Sequence, residues 1–294
     1  MALWAFLFFI ASATTLNLQA APAPLGGAQA TPTGYFEGPV ATAMAGTGRA
    51  AVLVTEGAHL NPATLAFVEG YNLGFIYGAE SLGDRAGANK YHLVISDSGE
   101  DAMFPGALSY SRVGLFQQDR SVDIQEVNAS IGYGFSEFFS WGVTAKYIHQ
   151  EIKGSEKVNA FNGSTGFLLT PRRNLGFALT FDDFLEARDV AMNPTTGVGV
   201  NYVFEKLIML RGDVVQPQKS NPSRRLIAML GAETMFVGKD LKFRFGHRWD
   251  DFADRRLASL GLGWQGPKLG VNYAYEKNVD STDFRHLIDM LIRF

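Results

Sequence analysis

Apolar and polar residues alternate along much of this chain. In the final ten residues, RHLIDMLIRF, Ile288, Met290, Ile292 and Phe294 fall on one face, and Arg285, Leu287, Asp289, Leu291 and Arg293 on the other. A period of two marks a strand with one apolar and one mixed side. The same period separates Leu241, Phe243, Phe245, His247 and Trp249 from Lys242, Arg244, Gly246 and Arg248. It also separates Leu269, Val271, Tyr273 and Tyr275 from Lys268, Gly270, Asn272, Ala274 and Glu276. Strands are predicted at 71–80, 90–97, 104–112, 123–135, 138–151, 158–170, 174–182, 196–205, 207–215, 225–237, 241–249, 256–265, 267–277 and 285–294. That is about fourteen strands, with twelve as the alternative count. Ile148 breaks the alternation by standing on the face of Thr144 and Lys146, and Leu168-Leu169-Thr170 fits either register.

A face this rich in aromatic and aliphatic side chains requires lipid or a second sheet, and its reverse suits a wet or filled interior. The predicted connections sort by length. Longer polar links fall near 81–89, 113–122, 152–157, 183–195, 216–224, 250–255 and 278–284, and shorter ones near 98–103, 136–137, 171–173, 205–206, 238–240 and 266. Transmembrane barrels show this asymmetry, with short turns on the periplasmic side. The expected fold is all-β, a transmembrane antiparallel barrel closed by the last strand, with both chain ends periplasmic and a short, partly helical N-terminal segment.

Composition narrows the class. The 294 residues include 32 Gly and 23 Phe against 11 Pro, as many short strands with tight turns require, and no Cys, which removes disulfides and thiol chemistry. A net charge of -3 argues against a nucleic-acid partner. The run LWAFLFFIA, Leu3 to Ala11, is too short for a membrane-spanning helix and has the length of a signal-peptide core. The expected organisation is a signal peptide over 1–20 with cleavage between 20 and 30, a flexible segment over 21–39, a luminal or periplasmic element over 40–69, and a barrel over 70–294. The 40–69 element is dominated by small residues. Its Asn61-Pro62 ends one local structure and starts another, with Pro62 suited to a first helical turn.

The chain resembles the bacterial outer-membrane PorV and PorQ family, a relative of the FadL class of long-chain fatty-acid transporters. The stretches that carry the resemblance are AGTGRAAVLVTEGAHLNPATLAF (Ala45 to Phe67), FSWGVTAKYI (Phe139 to Ile148), NLGFALT (Asn174 to Thr180), LGAETMFVGKDLKFRFGHRW (Leu230 to Trp249) and LGVNYAYE (Leu269 to Glu276). The resemblance implies a barrel of about fourteen strands with an N-terminal segment in or under its periplasmic mouth. FadL-class members admit hydrophobic molecules, whereas PorV-like members are accessory proteins in protein secretion and surface attachment.

Candidate chemistry is sparse. GLGWQG, with Gly261, Gly263 and Gly266, satisfies the dinucleotide spacing but lies between alternating strands; these glycines are expected to thin the inner wall and turn before Pro267. Trp249 to Arg256 clusters Asp250, Asp251 and Asp254 near Arg255 and Arg256, which reads as a solvated loop with local ion pairs, a Ca²⁺ site being the alternative. Asp182, Asp183 and Glu186 form a similar group, and His59, His92, His149, His247 and His286 lie in no nucleophile motif. The inward-facing charges Lys242, Arg244, Arg248, Glu276, Arg285, Asp289 and Arg293 are the functional candidates, either as salt-bridge networks around an internal plug or as a charge-selective lining. Tyr71, Phe104, Phe138, Trp141, Trp249, Trp264 and Phe294 fit interface girdles.

Three roles follow: uptake of hydrophobic small molecules, docking in protein secretion and surface attachment, and a lipid-modifying barrel enzyme. The leading expectation is a non-enzymatic outer-membrane transporter without cofactor or metal. Its expected partners are outer-membrane lipid, a hydrophobic ligand, a secreted or secretion-machinery protein, and the barrel-assembly machinery through the C-terminal strand.

Overall fold

The computed structural model describes residues 37–82, 86–99, 102, 105–117, 120–154, 157–185, 194–205, 207–218, 226–236 and 240–294. The signal segment, most of the 21–39 stretch, Phe104 and Glu186 lie outside the described residues. The strands are β1 (Gly70–Ser81), β2 (Ala86–Ser98), β3 (Gly106–Gln117), β4 (Arg120–Ser136), β5 (Phe139–Ile152), β6 (Lys157–Arg172), β7 (Leu175–Asp182), β8 (Thr195–Phe204), β9 (Ile208–Pro217), β10 (Ile227–Phe236), β11 (Leu241–Asp250), β12 (Arg255–Gln265), β13 (Leu269–Asn278) and β14 (Phe284–Arg293). All fourteen form one closed antiparallel barrel.

Closure follows from the environment. A sheet whose outer face meets lipid has no water for the unpaired N–H and C=O groups of an edge, so it must end on itself. Here β1 pairs with β14 from Asn72↔Arg293 to Ser81↔Phe284, and the Phe294 N–H donates to the Tyr71 carbonyl at 3.0 Å. The two predicted faces of β11, β13 and β14 separate as expected. Phe245, Leu260, Leu262, Ile288 and Met290 are exposed on the outside, while Arg244, Arg248, Ala274, Glu276, Arg285 and Asp289 are buried inside. Tyr71, Phe138, Trp141, Trp249, Trp264 and Phe294 are all exposed at strand ends, and the Tyr71 and Phe294 rings meet at 5.4 Å across the seam.

The sorting of connections by length is weaker than expected. We call the end where β1 begins and β14 finishes the terminal end, and the opposite one the far end. The link expected at 113–122 shrinks to 118–119 because β3 and β4 continue into it. At the far end 183–194 and 218–226 are long while 153–156 and 251–254 are short, and at the terminal end 99–105 exceeds several far-end links. The reason lies inside. Val122, Ile124, Ile148 and Ala160 form a buried luminal cluster joined by Val113, Leu115, Ile152 and Val158, so the far halves of β3–β6 have apolar partners that hold them as strands. β4 reaches 17 residues and β7 only 8. About ten residues cross the hydrocarbon layer, so the wall is much taller on the β3–β6 side.

Residues 37–68 fill the middle of the lumen as a plug. It contains α1 (Pro39–Ala43), α2 (Gly57–Leu60) and a 3-10 helix over Pro62–Phe67. The element therefore begins at or before Glu37 rather than at residue 40, and it sits within the barrel rather than beneath it. Its backbone lies against wall glycines. A Cβ added at Gly246 would overlap Ala45 and Met44, one at Gly142 would overlap Pro62 and Ala63, and one at Gly231 would stand 2.6 Å from the Met44 Cβ. Of the GLGWQG stretch, Gly261 serves the same thinning by facing Ala43, whereas Gly263 makes room for the wall side chains Arg244 and Asn272.

A Gly246→Leu variant is expected to unseat the plug and destabilise the protein by at least the ~1–3 kcal/mol typical of overpacking. Gly114→Leu, where an added Cβ meets nothing within 4 Å, is expected to be close to neutral. Thermal unfolding of both proteins in detergent checks the pair, with unheated gel migration confirming that each barrel has formed.

Candidate functional site

The plug is held by carboxylates at three points. Glu37, at its far side, accepts hydrogen bonds from Arg248 (2.5 Å) and Arg285. Glu276 sits beneath both guanidiniums, 2.8 Å from Arg285 Nε and 3.7 Å from Arg248 Nη2. Arg248 also donates to the Ala45 carbonyl at 2.8 Å. At the second point Asp213 of β9 accepts from the Gly48 and Arg49 N–H groups (3.0 and 3.1 Å) and from the Arg49 guanidinium (3.2 Å). The third lies within the plug, where Glu56 accepts from the Val40 and Ala41 N–H groups, each at 2.9 Å. Those are free donors of the first turn of α1, which no side chain of its own N-cap satisfies. Gly38 makes room, because a Cβ there would stand 2.6 Å from the Glu56 carboxyl carbon.

Neutral groups complete the seating. Asn61 caps the 3-10 helix by accepting from the Ala63 N–H at 3.0 Å, and its amide donates to the Arg49 and Phe167 carbonyls at 2.8 and 3.2 Å. Pro62 takes the first helical position, where its missing N–H costs nothing. Ser140 and Thr144 donate to the Ala63 and Ala58 carbonyls. Ser259 accepts from the Ala45 N–H and donates to the Ala43 carbonyl.

Around α2 the wall is polar. His59 lies 3.4 Å by Nε2 from Ser109 Oγ and 3.4 Å by Nδ1 from the Asn128 amide nitrogen, with Glu126 3.7 Å from Nδ1. The grouping of Ser, His and Glu is not that of a hydrolase. The Asn128 amide is a donor, which makes Nδ1 the acceptor and leaves the proton on Nε2, pointing at the serine it would have to deprotonate. Burial, then the neighbouring His92 and Lys146, hold His59 well below the ordinary imidazole range, so it is neutral and Glu126 gains no ion pair from it. Lys146 instead pairs with Asp183 at 3.0 Å.

Six of the seven luminal charges expected from the sequence divide into two groups, and Arg293 joins neither. Arg248, Glu276 and Arg285 converge on Glu37 near the far end. Lys242 and Arg244 meet Glu233 at 4.0 and 2.6 Å nearer the terminal end. Arg244 also donates to Asn272 (2.9 Å), whose N–H and amide donate to Asp289 (2.9 and 2.8 Å). Arg293 is half-buried at the terminal rim and its side chain joins neither carboxylate cluster in a short contact. Sequence reasoning missed Glu37, Glu56, Asp213 and Glu233. Glu233 was findable, since it shares the inward parity of Met229 and Gly231 and stands opposite Arg244. Glu37 was not, because its partners lie more than 200 residues away.

The Asp250 loop contains the expected local pairing, with Arg255 3.0 Å from Asp250 and the Ala253 N–H donating to the same carboxylate. Among the described residues no group of three or more His, Asp or Glu is placed to hold a metal ion. A cleft of about 20 Å³ lies at the far end between Glu80, Arg255, Glu276, Asp283 and Arg285, room for about one water.

The fold is that of known hydrocarbon channels. A toluene transporter from Ralstonia pickettii, TbuX, superposes with a TM-score of 0.71 at 13% identity, over 89% of this chain and 99% of that one. The monoaromatic hydrocarbon channel CymD gives 0.69 at 13% identity, over 87% and 97%. A FadL homologue from Pseudomonas aeruginosa gives 0.67 at 11% identity, over 87% and 98%. No protein-family profile matches the chain, and no curated protein matches it in sequence.

Two outcomes follow from the carboxylate points. Arg248→Ala leaves Glu37 and Glu276 buried with one cation fewer, and loss of one member of a buried pair costs about 3–5 kcal/mol; thermal unfolding should show a large drop in midpoint, with Glu37→Gln milder. The pH dependence has two limbs. Burial pushes the Glu37 carboxyl up, but Arg248 and Arg285 outweigh it and hold the group well below its ordinary value, so its contribution is present above pH 4.5 and lost on acidification. Burial and the Asp289 charge push Glu56 up to about 7, against the Ala41 and Val40 hydrogen bonds, so its contribution is full below pH 4.5 and lost as pH rises through about 7. Plug stability should peak between these limits, and Glu56→Gln should flatten the alkaline limb in a pH series of melting curves.

Proposed function

We propose that this protein is a non-enzymatic outer-membrane channel for apolar small molecules, with the terminal end of the barrel periplasmic and the far end facing outward. The observation that carries this reading is the buried apolar cluster of Val122, Ile124, Ile148 and Ala160 on the inner wall of the far half, directly outward of the plug. A channel for ions or sugars has no use for a dry inner surface. A molecule without hydrogen-bonding groups gains from one, at about 25 cal/mol for each Å² of apolar surface it removes from water.

The cluster is packed shut, with Ile148 only 1% exposed, so passage requires local opening and then movement of the plug. The plug is suited to such movement. Its own apolar core is small, Val40, Ala41, Ala51, Leu53 and Leu60, and it is seated by polar contacts together with small apolar contacts of Ala43, Ala50, Ala58, Ala63 and Leu65 to the wall. The likeness in fold to channels described as toluene and monoaromatic hydrocarbon transporters supports this class of cargo.

The docking role that the PorV resemblance implies draws on the same plug, because a filled lumen leaves the rim and loops as the working surface. It calls for a stable protein partner, and it is the outcome to accept if a secretion component travels with the protein and no apolar ligand does.

Ile124→Glu places a charge in the dry cluster. Whole-cell uptake of toluene is expected to fall at least tenfold in this variant while the barrel still assembles, judged by heat-dependent gel migration. Unchanged uptake in an assembled variant contradicts the channel reading.

A further inference from the structure

Arg211 is a charge without a carboxylate. It projects from β9 into the lumen and is only 5% exposed. Its Nε and Nη2 reach only the sulfur of Met209, at 3.2 and 2.9 Å, and its Nη1 has no partner. The carboxylates within electrostatic reach are committed elsewhere. Glu233 is held by Arg244, Asp213 binds Gly48 and Arg49 through Oδ2 while its Oδ1 lies against Gly199, and Glu56 binds the Val40 and Ala41 N–H groups.

The neighbouring inner wall adds positive charge. Met209 stands opposite Glu233, and Glu233 opposite Arg244, with Lys242 two residues nearer the terminal end on the same face. Lys242 donates to Gln265 at 3.0 Å and is still 4.0 Å from Glu233. Met209 and Lys242 are half-buried, on the terminal side of Arg211. A thioether is a weak acceptor, and a buried guanidinium normally binds an oxyanion through its planar fork.

We propose that Arg211, with Lys242 on the same inner face nearer the terminal mouth, forms a binding site for a small oxyanion of the carboxylate type, approached from that mouth. The site does not rest on the uptake reading, because its ligand is polar and its access lies at the opposite end of the lumen from the apolar cluster. Met209 fills the position of the anion when none is bound. Phosphate shares the chemistry, and separate titrations distinguish it from a carboxylate.

The test is anion binding by the purified full chain in non-ionic detergent. Sodium benzoate and inorganic phosphate are titrated against sodium chloride at matched ionic strength, with the thermal midpoint and calorimetric affinity as readouts. Benzoate should raise the midpoint saturably; a saturable response to phosphate alone would overturn the carboxylate assignment. In Arg211→Met the affinity should fall about ten- to a hundredfold, the scale of one charge-assisted hydrogen bond, and the midpoint without anion should be at or above that of the unaltered protein. Arg211→Lys, which keeps the charge and loses the fork, should fold and bind more weakly, and it carries the test if the methionine variant does not fold. The proposal is overturned if neither anion exceeds chloride, if Arg211→Met binds benzoate unchanged, or if that variant folds but is less stable without anion, since the arginine would then be a structural one.

Discussion

Irregular backbone buried inside a closed barrel must find hydrogen-bond partners in its surroundings, and the plug finds them partly in its own turns and partly on the wall. Residues 37–68 carry little regular secondary structure of their own, so their N–H and C=O groups turn to Asp213, Ser140, Thr144 and Ser259, which point inward from three different strands. This works only where main chain can approach main chain, and the inner wall is glycine at those points. Plug and barrel therefore specify each other: the plug takes its hydrogen bonds from the wall, while wall glycines such as Gly142, Gly231 and Gly246 and the wall charges Asp213, Arg248 and Arg285 meet the plug.

The lumen is layered as a result. A dry cluster on β3–β6 lies toward the far end, the plug with its polar collar around His59 fills the middle, and a cation-rich wall of Arg211, Lys242 and Arg244 lies toward the terminal mouth. Each layer has a different affinity for a passing molecule. On the proposed reading an apolar one is favoured at the far end and must then cross a region dense in buried polar groups, which is a barrier unless the plug shifts. The clamps at Glu37 and Asp213 tie that shift to one arc of the barrel, since one involves β11, β13 and β14 and the other β9.

Much of the barrel was legible in the sequence because lipid outside and polar groups inside impose strict alternation. The final strand, β11 and β13 were readable residue by residue. The failures were informative. Ile148 and the Leu168-Leu169 pair broke the pattern because parts of the lumen are not wet: Ile148 joins the far cluster, while Leu168 (1% exposed) packs against Ala50 and Ala63 of the plug and Leu169 (46%) faces outward next to a register shift. Link lengths were misjudged where luminal apolar contacts extend a strand. Of the site, the wall charges were found from their parity, whereas Glu37 and Glu56 were missed because a plug has no periodicity to betray it and its partners are remote in sequence.

The central claim is that cargo passes only when the plug moves. The chain contains no Cys, so a single engineered pair can test this without background. A Cβ at Gly134 would stand 3.9 Å from the Ala66 Cβ, a separation suited to a disulfide between the wall and the 3-10 helix. In A66C/G134C, toluene uptake should be abolished under oxidising conditions and return on reduction. Equal uptake by the locked and reduced forms, with the crosslink verified by mass spectrometry, would contradict the account.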